Sequence, residues 1–266
     1  MCDVDDLKLM VEIEEYWDLR PCNVKHSLEK INTIGYYNQV EEKRYFVEPH
    51  IPLFASFNSW EGKKVLEIGC GIGTDGVNFA RGGAMYQGIE LSNKSLLIAK
   101  ERFNKLGLVG EFTHINAEED LSLLGEGLYD MIYSFGVIHH SPNPSKIIHN
   151  AHKLLKEGGV LKIMLYATNS WKKMLIDNNY SQYEAQSNCP LATTYTKEEV
   201  YELLSDYEDI EIEQTHIFPY KIPPYVAGEF VKEDWFESMP LDIFEIMQNT
   251  LGWHLCITAK KPFRGE

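Results

Sequence analysis

No stretch of this chain stays apolar for anything near the ~20 residues that a membrane-spanning helix needs. An integral membrane protein is therefore not expected. The amino terminus, Met1-Cys-Asp-Val-Asp-Asp, is acidic and does not look like a secretory leader. Cysteine is scarce: the five are Cys2, Cys22, Cys70, Cys189 and Cys256, and no two form a C-x-x-C pair. An odd count without that spacing speaks against a disulfide framework or a zinc site and fits a reducing, cytoplasmic setting. Positive charge is also in deficit, with 25 Lys and Arg against 40 Asp and Glu, a net charge of −15. Lys63-Lys64 and Lys172-Lys173 are short pairs, and little else is clustered. A nucleic-acid backbone asks for concentrated Lys and Arg, so DNA or bulk RNA is a poor first candidate for a partner. Internal repeats and low-complexity segments are absent.

The 266 residues, 44% hydrophobic and 24% charged, are ordinary globular material and enough for one large α/β domain with a cap. Three zones differ in character. Residues 1–58 predict a helical cap rich in Tyr, Trp and His. Residues 59–166 alternate strand and helix signals, and residues 167–266 continue the same core. In the middle zone Lys64–Ile68, Met85–Glu90, Glu111–Ile115, Tyr129–Phe135 and Val160–Tyr166 read as strands. Helices fall between them. Ser92 caps one and Gly107 stops it, while Asn143 followed by Pro144 opens another that Gly158-Gly159 ends. Thr196-Lys-Glu-Glu199 is a capping box for a later helix, and Ile210–Ile217 and Gly252–Ala259 read as two more strands. Such alternation predicts a mostly parallel sheet with helices on both faces, and ligands bind beyond the carboxyl ends of its strands. The stretches 167–194 and 218–250 are long for plain connections and are expected to be irregular insertions that shape the substrate side.

Glu67-Ile-Gly-Cys-Gly-Ile-Gly73 joins the first strand to the next helix. Its glycines permit a tight turn and close approach of a ligand to amides at the helix start. Glu90 ends the second strand, where a carboxylate can accept both hydroxyls of a ribose. A strand before, a helix after and an acid in register point to a nucleotide-like cofactor. Dinucleotides and S-adenosylmethionine both remain open at this point, although the spacing is G-x-G-x-G rather than the dinucleotide G-x-G-x-x-G.

The motifs together resemble the class I S-adenosylmethionine-dependent methyltransferases. Val65–Thr74 is similar to that family's first motif, and Gly88-Ile-Glu-Leu-Ser92 to the segment with the ribose acid. Asn116-Ala-Glu-Glu-Asp-Leu121 is similar to the segment against adenine, with Asn where Asp is frequent. Tyr129–His140 resembles the fourth-strand motif, and Leu154–Leu161 the segment before strand five, with Glu157 where Pro is frequent. The resemblance covers about 100 residues and implies a Rossmann-like sheet of seven strands, the last antiparallel. It implies that Gly69, Gly71 and Gly73 border the methionine part of the cofactor and that Glu67 orients the loop or the cofactor amine. Glu90 with its neighbour Leu91 would hold the ribose. Asn116, Ala117 and Glu118 would flank adenine, and Ser134, Phe135 and Gly136 would lie near the transferring methyl. Asp75 would add to the loop-side wall. Cys70 would fill space within the loop.

Methyl transfer from a sulfonium is an in-line displacement, so alignment and exclusion of water matter most. A base is needed only when the acceptor must lose a proton. His139 and His140 follow the fourth strand at the expected mouth of the site, and related small-molecule O-methyltransferases place a base near the position of His139. Being adjacent and without a carboxylate partner, the pair is not expected to bind metal. Tyr166, at the end of the fifth strand, is the third catalytic candidate. Arg20, Tyr36, Tyr37, Tyr195, His216 and Tyr220 are candidates for the substrate side, each with an alternative as a packing or surface residue. The expected activity is O- or N-methylation of a small molecule by a monomer or homodimer. A tRNA or protein methyltransferase and a non-catalytic cofactor-binding protein are the alternatives.

Overall fold

The computed structural model describes residues 4–180 and 189–263, so residues 181–188 of the expected insertion, and Cys2, lie outside the described residues. The described chain begins with three helices, α1 (Val4–Leu19), α2 (Ile34–Val47) and α3 (His50–Ala55). The alternating core follows: β1 (Lys64–Ile68), α4 (Thr74–Arg81), β2 (Met85–Glu90), α5 (Asn93–Leu106), β3 (Glu111–His114), β4 (Tyr129–Phe135), α6 (Pro144–Leu154) and β5 (Leu155–Ala167). Beyond it come α7 (Trp171–Asp177), β6 (Thr194–Tyr195), α8 (Lys197–Leu203), β7 (Glu208–Thr215), α9 (Ile222–Val226), α10 (Asp234–Glu237), α11 (Leu241–Leu251) and β8 (His254–Lys260).

One sheet runs β3-β2-β1-β4-β5-β8-β7, with the two-residue β6 joining β5 off this path. The main path thus has the expected seven strands, and β6 makes an eighth. All pairs are parallel except those of β8, which runs antiparallel to both β5 and β7. Alternate residues along the central strands serve opposite faces. Leu66, Ile132 and Leu161 pack on one side with Ile147, Ile148 and Ala151 of α6 and Val200 of α8. Val65, Met131 and Tyr133 pack on the other with Val77 and Phe79 of α4 and Phe103 of α5. Helices on both faces explain why these strands are continuously apolar rather than alternating.

Several expected boundaries shift. The helix after Pro144 ends at Leu154 rather than at the glycine pair, and β5 takes up the chain at Leu155. Asn143 makes no side-chain cap there; its amide donates instead to Asp6 and Glu118. The capping box at Thr196 and the Ser92 cap form as read. The stretch 218–250, expected to be irregular, holds α9, α10 and α11. Within 167–194, the described part holds α7.

The sheet order reverses between β1 and β4, and loops diverge there beyond the strands' carboxyl ends. Helix α1 lies across this opening. Near its start Asp6 accepts from the Asn143 amide, and near its end Asp18 accepts from the Ser92 hydroxyl and the Lys94 N–H. The helix is thus tied to the starts of α6 and α5. Met10, Ile13 and Trp17, at helical spacing, form its inward face. No described helix is long and apolar enough to cross a membrane.

Candidate active site

Two cavities meet beneath α1. The first, about 160 Å³, is bordered by the glycine loop, the end of β2, and residues 115–117. The second, about 680 Å³, lies over the ends of β4 and β5 and the start of β8. They share Trp17, Cys22, Asn23, Arg44, Phe135, Gly136 and His140 as a common wall.

The loop after β1 is shaped by backbone that only glycine adopts easily. Gly69, Gly71 and Gly73 have φ of 73°, 53° and 75°. A Cβ on Gly69 would meet the Val137 side chain at 2.4 Å, whereas one on Gly71 would meet no atom within 4 Å. Gly71 therefore presents bare backbone to the first cavity. Its N–H donates to Glu90 Oε2 (2.8 Å), and the Ser92 N–H donates to Oε1 (2.8 Å). Burial raises the Glu90 pKa, and these amides hold it back. Each oxygen keeps a lone pair for an incoming hydroxyl. Glu67 is buried deeper, accepts from the Tyr86 hydroxyl at 2.6 Å, and has its pKa pushed well up by burial and by the charge of Asp75. A cationic amine beside it would reverse that push.

Asp75 lines the first cavity but is already engaged. Its carboxylate accepts from Arg44 (3.0 Å), Tyr45 (2.9 Å) and Tyr133 (3.1 Å). Arg44 comes from α2, so this network ties the helical cap to the glycine-loop helix. Burial works against its charge, but Asp75 and Glu48 more than compensate and keep it firmly protonated. Arg44 Nε is buried without a hydrogen-bond partner among the described residues.

Cys70, Leu91, Asn116, Ala117, Phe135 and Gly136 all border the first cavity. Gly73, Glu118 and Ser134 do not. Glu118 turns toward α6, accepting from Ser141, the Asn143 N–H and the Asn143 amide. The Ser134 hydroxyl donates to the Ile68 carbonyl and clamps β4 to β1. Asn116 Oδ1 is occupied by the Glu118 N–H in a local turn.

The two histidines after β4 separate sharply. His139 is fully buried, borders neither cavity, and stacks beneath Tyr166 at 3.6 Å between ring centroids. Burial and the neighbouring His140 push its pKa well down. His140 borders both cavities. Its Nδ1 lies 2.6 Å from the Leu191 carbonyl, which fixes the tautomer with hydrogen on Nδ1 and a lone pair on Nε2. Nε2 has no partner among the described residues, and burial lowers the His140 pKa to about 4.

Tyr166, Arg20 and His216 border the second cavity. Tyr36, Tyr37, Tyr195 and Tyr220 do not. Tyr36 and Tyr37 are fully buried in a cluster with Val40 and Ile72, their hydroxyls donating to the Val24 carbonyl and Asn32. Tyr195 belongs to the core and Tyr220 stacks on Phe46. The fold also brings in residues that sequence reasoning passed over: Met10, Ile13, Arg44, Glu48, Lys172, Trp253 and His254. The α1 face was visible as spacing. His254 follows from strand direction, because an antiparallel strand begins where parallel ones end; it stands opposite Tyr166 and Thr215.

A family model described as a methyltransferase domain matches residues 59–208, more than half of the chain. The ubiquinone biosynthesis O-methyltransferase of Glaesserella parasuis is 34% identical over 122 residues, covering 45% of this chain and 52% of that protein. That of Pasteurella multocida is 32% identical over 133 residues, covering 46% and 55%. This chain thus matches about half the length of these curated relatives. The magnesium protoporphyrin IX methyltransferase of Synechocystis PCC 6803, solved with S-adenosylhomocysteine, shares the fold at 14% identity, with a TM-score of 0.61 over 94% of this chain and 99% of that one. The motifs, the sheet order and the matched family model agree, and the chain belongs to the class I S-adenosylmethionine-dependent methyltransferases.

Proposed function

We propose that the chain methylates an oxygen of a small molecule held in the second cavity, with His140 receiving the proton. The observation that carries this reading is the His140 Nε2 lone pair, buried and unpartnered on the wall the two cavities share. The lining of the first cavity suits S-adenosylmethionine. Gly71 leaves room against its backbone, Glu90 can take the ribose hydroxyls, Asn116 and Ala117 border the adenine end, and Glu67 and Arg44 border the end where an amino acid moiety would lie. When bound, the cofactor supplies an activated methyl on a sulfonium. The acceptor hydroxyl would give its proton to His140 Nε2 as its oxygen takes the methyl, the cofactor then leaving as S-adenosylhomocysteine. An acceptor space of about 680 Å³ and the net charge of −15 favour a compact acceptor over a nucleic acid.

Oxygen is preferred over nitrogen because the similar curated proteins are named O-methyltransferases. The test is release of S-adenosylhomocysteine with a panel of phenols, enols and carboxylic acids. Turnover of at least one hydroxylated acceptor is expected, and His140→Ala should lower kcat by about 10²- to 10⁴-fold with cofactor affinity unchanged. A fully active His140→Ala enzyme would remove His140 as the base.

A further inference from the structure

The second cavity carries a feature that transfer from a sulfonium does not require. Three imidazoles and a carboxylate converge at its edge from three separate segments. Glu48 follows α2, His50 opens α3, His216 follows β7 and His254 opens β8. One carboxylate oxygen of Glu48 and one nitrogen from each of His50 and His254 lie within 4.8 Å of one another. His50 Nε2 is 3.0 Å from His254 Nδ1, and Glu48 Oε1 is 3.9 Å from His254 Nε2. The His216 ring stacks on that of His254 at 4.6 Å and lies 5.1 Å from that of His50.

We propose that Glu48, His50 and His254 hold one divalent first-row transition-metal ion at the edge of the acceptor cavity, where it would take the oxygen of the acceptor. The role in catalysis rests on that cavity being the acceptor site; the binding of the ion does not.

Four observations support the site. First, the three ligand atoms are already gathered within 4.8 Å of one another, and an ion would replace the 3.0 Å hydrogen bond between His50 Nε2 and His254 Nδ1. Second, Glu48 and His254 both border the second cavity, so an ion between them would face the acceptor. Third, two histidines and one carboxylate leave coordination positions open, which is the pattern of a reactive metal rather than a structural one. Mixed nitrogen and oxygen ligands select Zn²⁺, Fe²⁺, Co²⁺ or Mn²⁺ over Ca²⁺ and Mg²⁺, which prefer oxygen alone. Fourth, the surroundings hold the ligands in place. His216 has φ of 73°, uncommon for a residue with a side chain, and its ring lies flat against His254. The Phe135 ring, on the shared wall, lies 5.5 Å from His254 and 5.9 Å from His50. An ion here would polarise an acceptor hydroxyl and favour its deprotonated form, the proton still passing to His140.

The test uses the full chain, stripped of metal by chelator and freed of any polyhistidine tag. It is titrated with Co²⁺ and followed by visible absorption, and dialysed against Zn²⁺, Fe²⁺ or Mn²⁺ for elemental analysis. One ion per chain is expected for at least one metal. His50→Ala and Glu48→Gln should each weaken binding by about 100-fold or more, since even supporting residues around a metal typically account for 10- to 100-fold. The exposed His149→Ala should leave it unchanged. Calorimetry with S-adenosylhomocysteine should give the wild-type affinity for all three variants, which confirms their fold. Absence of stoichiometric binding for all four metals would overturn the proposal, as would equal affinity in wild type, His50→Ala and Glu48→Gln. The titration needs neither acceptor nor turnover, so its failure is distinguishable from failure of the methyl-transfer reading.

Discussion

Glu90 and the His139–His140 pair show how much a single residue's role depends on what its atoms already touch. Both oxygens of Glu90 accept one backbone N–H, from Gly71 and Ser92, so the carboxylate orders the loop before any ligand arrives. Glu90→Ala should therefore weaken S-adenosylmethionine by more than the loss of one hydrogen bond. A charged hydrogen bond is worth about 1.5–3 kcal/mol, so calorimetry should show at least a roughly tenfold loss. Unchanged affinity would dismiss the ribose role. The two histidines are neighbours in sequence, yet one is stacked into the core under Tyr166 and the other borders both cavities. Sequence position placed both at the mouth of the site, but a one-residue step in a short 3₁₀ turn decides which ring reaches it.

At the scale of elements, α1 is one wall of the first cavity. Its inward face is apolar and its two ends are fixed by side-chain hydrogen bonds to the starts of α5 and α6. Asp18→Ala removes the two bonds at one end. With about 1.5 kcal/mol lost from the closed arrangement, stopped-flow release of S-adenosylhomocysteine should be roughly tenfold faster; an unchanged rate would show that α1 does not gate the cavity. The alternating strands and helices from β1 to β5 were legible in sequence, because apolar runs, caps and glycine stops are local signals. So was the glycine loop, whose strained backbone needs its residue type. The short helices α9 and α10 were not legible, because four- and five-residue helices have too little periodicity to register. Arg44, Glu48 and His254 escaped for another reason. They come together through pairing of distant segments, and nothing in their local spacing marks that meeting.

Taken whole, the molecule is sensitive to acid. His140 is held at about 4 against an ordinary 6.5, and His139 is depressed in the same direction, both by burial. Between those pH values the unfolded chain binds protons that the fold refuses. Stability is thus fully present above about pH 6.5 and falls as pH drops through the folded-state value. For His140 alone the loss approaches about 3 kcal/mol. Urea midpoints should fall steadily from pH 7 to pH 4.5, and His139→Phe with His140→Phe should make that slope shallower, the buried His50, His216 and His254 supplying the rest. An unaltered slope in the double variant would place the acid sensitivity elsewhere.

The position of β8 has a kinetic consequence. It sits between β5 and β7, and its pairing of Val160 with Lys260 joins residues 100 positions apart. Until it inserts, β5 is an open edge of apolar backbone, and the most remote contacts of the sheet are the ones that must close it. Refolding should therefore pass through a species with the nucleotide-binding half assembled and a sticky margin exposed. Recovery from urea should fall as protein concentration rises, and S-adenosylhomocysteine, which braces only the finished half, should not restore it.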